Sequence, residues 1–156
     1  MEIEQKYLIH YLPDGLDRYE HEEIEQAYLC QKPAIRVRRK GGRYIFTYKN
    51  REQGTGDGSV CVAEEIETEI DFDAYMHLFE KADGEPIRKT RYKIPYEKFT
   101  IELDIFHGKR EGLILAEVEF ESVEESKSFV KPDWFGENVS GDIRYSNSYM
   151  ATHDPD

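Results

Sequence analysis

Met1-Glu2-Ile3-Glu4-Gln5-Lys6 opens the chain with two carboxylates and an ammonium on alternate positions. Read as a β-strand, this stretch points Glu2, Glu4 and Lys6 to one face and Ile3, Gln5 and Tyr7 to the other. Two acids and a base on one face do not pack unaided in an apolar core. They face bulk water, or they face a wet cavity holding a metal and an anion.

The pattern recurs along the chain. Strand-like alternation covers Ile24–Leu29, Ala34–Arg39, Arg43–Lys49, Glu64–Ile70, Ile87–Ile94, Phe99–Phe106 and Leu113–Glu121. Charge is sorted by strand. Bases fill three of them: Arg36 with Arg38, Lys49, and Lys89 with Arg91. Acids fill three others: Glu65 with Glu67, Glu102 with Asp104, and Glu117 with Glu119. An ordinary wet sheet face mixes signs within each strand. Closed into a barrel, the same sheet lines its interior with both signs and leaves an apolar exterior for helices to cover. About eight strands leave room inside for side chains or one small ligand. Crowded carboxylates call for a divalent cation, and hard oxygen ligands select Mg²⁺ or Mn²⁺. Arg forks and Lys point charges opposite them suit a phosphate chain. Spacing alone leaves two readings open, this barrel and an open sheet with a solvated face. Glu69, Glu121 and Lys93, at strand ends, read as solvent-exposed.

Helices are few and short. One is expected over Asp73–Ala82, capped by Asp71 or Asp73 and stopped by Gly84. Ser122 and Glu125 form a capping box for a second, running to about Phe129 and ended by Pro132. Ser140 is placed to cap a last helix over Asp142–Met150, and a weak helix is expected at Leu16–Glu23. Gly54-Thr55-Gly56-Asp57-Gly58 reads as a turn; it lacks the Gly-Lys-Ser/Thr ending of a phosphate-binding loop. The class is α+β, mostly antiparallel strand.

The 156 residues suffice for one domain, 1–156, with a core that needs no staples. Charged residues make up 35%, yet 11 Tyr, 8 Phe and one Trp mark a folded chain. A net charge of −12 repels nucleic acid and anionic membranes while leaving room for a small anionic ligand. Cys30 and Cys61 are too few for a disulfide framework and too far apart for a metal knuckle, which suits reduced thiols in the cytoplasm. No apolar stretch approaches membrane-spanning length, and the opening strand is unlike a signal peptide. The five His show no ligand spacing, and Trp134 reads as a packing anchor.

Glu2-x-Glu4-x-Lys6 resembles the ExExK signature of the CYTH superfamily, the triphosphate tunnel metalloenzymes. Arg36-Val37-Arg38 is similar to that family's RxR strand, Thr47-Tyr48-Lys49 to its TxK strand, and Lys89-Thr90-Arg91 to its KxR pair. Glu65-Ile66-Glu67, Glu102-Leu103-Asp104 and Glu117-Val118-Glu119 resemble its acidic strands, and Pro132 to Asn147 its C-terminal segment. Phe135 stands where Leu is frequent and Ser140 where Thr is frequent; neither is a tunnel position. The resemblance implies a closed antiparallel eight-stranded β-barrel, a tunnel with helices packed outside. It implies hydrolysis of triphosphate compounds, inorganic tripolyphosphate foremost, with Mg²⁺ or Mn²⁺. On that footing Lys6, Arg36, Arg38, Lys49, Lys89 and Arg91 bind substrate, and Glu2, Glu4, Asp104, Glu117 and Glu119 bind metal. Glu65, Glu67 and Lys6 take catalytic roles. The C-terminal helix is expected at one mouth, with Tyr145 and Asn147 near substrate. The same scaffold in the family also supports adenylate cyclisation of the class IV type, thiamine-triphosphate hydrolysis and RNA 5′-triphosphate removal. A non-catalytic polyphosphate- or nucleotide-binding module is the alternative of another class. The partner is a triphosphate-containing small molecule, with no nucleic acid or membrane, and monomer or homodimer is left open.

Overall fold

The structure, a computed structural model, describes residues 1–52 and 57–155. Nine strands alternate with short helical pieces: β1 Glu2–Ile9, β2 Glu20–Gln31, β3 Ala34–Lys40, β4 Arg43–Glu52, β5 Cys61–Ile70, β6 Asp83–Tyr96, β7 Phe99–Phe106, β8 Ile114–Phe120 and β9 Phe135–Asn138. The helices are α1 Phe72–Glu80, α2 Val123–Ser128 and α3 Asn147–Thr152. Neighbours run β5-β4-β3-β2-β6-β7-β8-β1, and β1 pairs back onto β5, so eight antiparallel strands close a barrel. β1 is the seam. Glu2–Glu4 pair with β5, Ile3–Leu8 with β8, and Tyr7 and Ile9 with β9.

Strand alternation then sorts the side chains. The outward row of β1, β7 and β8 supplies Tyr7, Ile101, Leu103, Ala116, Val118 and Phe120 to a core outside the barrel. Phe129, just past α2, meets Phe99, Phe120 and Tyr96 edge-on over that core. Trp134 packs with it, as its anchor role requires. α1 covers a second patch, seating Tyr75 over Ala27 and Val37. Its Asp71 cap accepts from the Ala74 N–H at 2.8 Å. α2 carries the expected capping box: Glu125 N–H donates to Ser122 Oγ at 3.0 Å, and Glu125 Oε1 accepts from the Glu121 N–H at 3.0 Å.

At the end where β1 finishes, inward positions turn apolar. Leu8, Ile87, Phe106 and Leu115 pack there against Met150 and Ala151 of α3. Gly84 makes this seat possible. It lies at the start of β6 with φ +66°, and a Cβ there would come within 2.0 Å of the Ala151 carbonyl oxygen. Gly84→Ala is expected to cost about 1–3 kcal/mol through this clash. Faster proteolysis of the C-terminal segment and a lower melting temperature would register it; wild-type resistance would contradict it.

Four local expectations are corrected. Leu16–Glu23 is one 3-10 turn, Leu16–Arg18, followed by β2, because Glu20 and Glu22 pair across the sheet with Lys93 and Arg91. Gly84 belongs to β6 and does not stop α1. The C-terminal helix divides into a 3-10 turn, Ile143–Tyr145, and α3, capped by Ser146. Ser140 accepts the Lys6 backbone N–H at 2.9 Å, beside the unforeseen β9. Residues 54–56 of the expected glycine-rich turn lie outside the described residues.

Candidate active site

The barrel encloses a cavity of about 630 Å³. Every candidate from the sequence lines it except Asp104 and Tyr145. The register explains the grouping: Glu4 lies beside Glu119 and Lys6 beside Glu117 on the β1–β8 ladder, and Lys49 beside Glu65 on the β4–β5 ladder.

The acids of β1 and β8 crowd one wall. Burial, then repulsion from Glu117, pushes the Glu4 carboxyl up to about 7. Burial also raises Glu2 and Glu119. Glu117 behaves oppositely: burial resists its charge, but Lys6, Arg91 and Lys89 hold it well below the usual carboxylate range. Lys49 Nζ pairs with Glu2 and stands 3.5 Å from Glu4. Lys6 Nζ lies 3.6 Å from Glu117 and donates to the Tyr145 carbonyl at 2.9 Å.

The bases of β3 and β6 occupy the other wall. The Nε–H groups of Arg36 and Arg38 are buried and find no acceptor among the described residues. Burial and the neighbouring Arg36 and Arg91 bring the Arg38 guanidinium down to about 10. Its acidic partner, Glu67, is 3.7 Å away and also accepts from Thr47 Oγ1 at 3.4 Å. Two buried donors without an acceptor among the described residues are costly unless an anion meets them.

Asp104 sits behind this wall. Arg91 grips it with two bonds, Nε to Oδ1 at 2.8 Å and Nη2 to Oδ2 at 2.9 Å, and Lys89 Nζ reaches Oδ2 at 2.8 Å. Both carboxylate oxygens are therefore taken by bases. That geometry locks Lys89 and Arg91 in place and leaves the metal role expected for Asp104 without support. Arg91 also reaches Glu102 at 3.2 Å.

Several lining residues escaped the sequence reading. Lys40 is the next inward position after Arg36 and Arg38, hidden because the strand was expected to end at Arg39. Burial, with the Arg38 and Arg91 guanidiniums, pushes its ammonium down. Tyr28 lines the cavity and accepts from Gln26 Nε2 at 2.9 Å. Asn147 does reach the site, its Oδ1 accepting from Lys89 Nζ at 3.1 Å. Tyr145 contributes its carbonyl, while its ring lies beneath the Arg144 guanidinium.

Among the described residues no three His, Cys, Asp or Glu side chains are drawn together as a ready-made metal cage. Lys6 and Lys49 stand among the carboxylates instead. The donors are nonetheless hard oxygens throughout. Burial, and then the neighbouring Glu117 and Glu2, raise the Glu4 carboxyl to about 7 even with Lys49 at 3.5 Å, so a cation beside it would favour its charged form. The set fits a divalent cation.

A closed antiparallel barrel, with acids concentrated on β1, β5 and β8 facing bases on β3 and β6, defines the class. The chain belongs to the CYTH domain family, whose match spans residues 1–154. The inorganic triphosphatase of Nitrosomonas europaea is 35% identical over 159 residues, covering 99% of both chains. That of Acetivibrio thermocellus is 35% identical over 148 residues, 83% of this chain and 92% of its own. The crystal structure of the inorganic triphosphatase NE1496 superposes with a TM-score of 0.71 at 32% identity, covering 100% of this chain and 97% of that one. Among the described residues no helix is long and apolar enough to cross a membrane.

Proposed function

We propose that this chain hydrolyses the terminal phosphoanhydride bond of triphosphate compounds, with inorganic tripolyphosphate as substrate and Mg²⁺ or Mn²⁺ as cofactor. The observation that carries this reading is the convergence, in one hollow, of crowded carboxylates and of arginines whose buried Nε–H groups, in Arg36 and Arg38, find no acceptor among the described residues. Relatives of the same length named inorganic triphosphatase support it. Residues 1–156 work as one domain on a small molecule rather than nucleic acid. The two thiols, free of any disulfide, suit the cytoplasm.

Arg36, Arg38, Lys49, Lys89, Arg91 and Lys6 hold the phosphate oxygens, with Asp104 keeping Lys89 and Arg91 in position. Glu2, Glu4, Glu117 and Glu119 would hold the cation. When bound, it neutralises phosphate charge and polarises the bond to be broken. Glu65 and Glu67 orient a water against the terminal phosphorus. The water oxygen bonds to phosphorus, the bridging P–O bond breaks, and pyrophosphate departs with its new charge offset by Lys6 and the arginines. The water's proton leaves toward the Glu65 and Glu67 carboxylates and the solvent.

Phosphate release from tripolyphosphate, ATP and thiamine triphosphate, each with Mg²⁺ and Mn²⁺, tests the reading. Release from tripolyphosphate supports it. Cyclic AMP from ATP would make the chain a cyclase, and tight binding without turnover would make it a binding module. Lys6→Ala is expected to raise KM for tripolyphosphate about ten-fold, with a smaller change in kcat, because one charged phosphate contact is lost. Steady-state kinetics decide this; a fall confined to kcat would show that Lys6 acts only in the transition state.

A further inference from the structure

We propose that β5 beyond the seam, from Glu64 to Ile70, is a docking edge for an extended basic peptide, which adds to the sheet as a further strand in line with β1. The docking needs neither phosphate nor metal.

The barrel closes over a short reach. β1 meets β5 only through Glu2, Ile3 and Glu4, paired with Ala63, Val62 and Cys61. β5 then runs on to Ile70 with β4 on one side and, among the described residues, no strand on the other. At about 3.3 Å per residue this open stretch is about 20 Å long, enough for about six residues of a partner. Both of its faces are wet. Ile66, on the outer face, is 57% exposed, and the inward Glu67 and Glu69 side chains are 39% and 63% exposed. The free N–H and C=O groups of such a strand are a template for another chain.

The side chains choose the partner. Glu65, Glu67 and Glu69 make the inward row acidic, while Ile66, Thr68 and Ile70 leave the outward row uncharged. The bases that meet the acidic row come from the β4 side: Arg38 stands 3.7 Å from Glu67, and Arg43 stands 3.4 Å from Glu69. A second copy is a poor occupant. Antiparallel pairing of β5 with itself sets Glu opposite Glu on the inner face, and like charges so placed destabilise a ladder. A strand with Lys or Arg at alternate positions and apolar residues between them satisfies both rows at once. The net charge of −12 draws such a segment in.

The test is fluorescence anisotropy of a labelled peptide, Thr-Lys-Val-Lys-Val-Lys-Thr, titrated with the full chain. Two N-methylated forms, each blocking one alternate set of amides, are the controls, because a strand added to one edge uses only one set. One form is expected to bind about ten-fold more weakly, the other like the parent. Loss in both, or in neither, overturns the docking edge and leaves charge alone holding the peptide. This arm uses only the wild-type chain. Ile66→Lys is expected to weaken the parent peptide about five-fold without moving the melting temperature, by setting a like charge beside it. Unchanged affinity in that variant places the peptide elsewhere and overturns the proposal. So does a wild-type dimer, seen by sedimentation, that Ile66→Lys dissociates, since a second copy would then own the edge.

Discussion

Glu4→Gln is expected to lower tripolyphosphate turnover by about a hundred-fold or more, with little change in melting temperature. The two halves of this result come from one property of the site. Glu4 is largely shielded beside Glu117 and Glu2, its side chain 14% exposed, and burial with the repulsion of Glu117 raises its carboxyl to about 7. Near neutral pH much of it is already uncharged in the empty protein, so a neutral amide of the same shape removes little folding energy. Lys49 keeps Glu2 as its partner. Turnover is another matter, because only an ionised carboxylate gives a divalent cation the charge that Gln lacks. Phosphate release and a thermal melt on the same preparation check both halves. Full activity in Glu4→Gln would remove β1 from the metal assignment.

Asp104→Asn is expected to fail differently, through a loss of stability. Asp104 is 0% exposed, and both of its oxygens are bonded to buried bases. The amide leaves Lys89 and Arg91 without their counter-charge, and breaking a buried pair from one side costs about 3–5 kcal/mol. For a chain of this size that is a fall in melting temperature on the order of 10 °C. The sign of the pH dependence follows from the carboxyl itself. Burial opposes its ionisation, but Arg91 and Lys89 prevail and lower its pKa in the folded state. Its contribution is therefore complete above the unfolded carboxylate value and is lost as pH falls through the lower, folded one. The gap between wild type and variant should be widest near neutrality and close in acid. A melt of Asp104→Asn indistinguishable from wild type at pH 7 would show that solvent, not Asp104, satisfies the two bases.

The contrast between these residues shows what sequence carries and what it withholds. Alternation along Glu2-Ile3-Glu4-Gln5-Lys6 and Phe99–Phe106 correctly put Glu4 and Asp104 on inward faces, since period two is a property of the strand alone. The difference in their roles is a matter of register. Asp104 lies directly opposite Arg91, whereas Glu4 lies opposite Glu119, and nothing within either strand encodes its neighbour's offset. Glu22 was lost for another reason. Glu20-His21-Glu22-Glu23 has helix-forming composition, and only the pairing with Arg91 and Lys93 draws it into β2. The apolar seat for α3 was half legible: Leu8 follows Lys6 on the inward row, but its partners Ile87, Phe106 and Leu115 come from three other strands.

Because β1 is joined to β8 and β9, which the ribosome makes long afterwards, the nascent chain carries an unpaired edge through most of its synthesis. Glu2, Glu4 and Lys6 are the charges that discourage such an edge from recruiting a neighbouring polypeptide. The side chains that line the cavity thus also protect the strand before its partners exist, and the seam they close joins segments far apart in the chain, the kind of contact that slows folding.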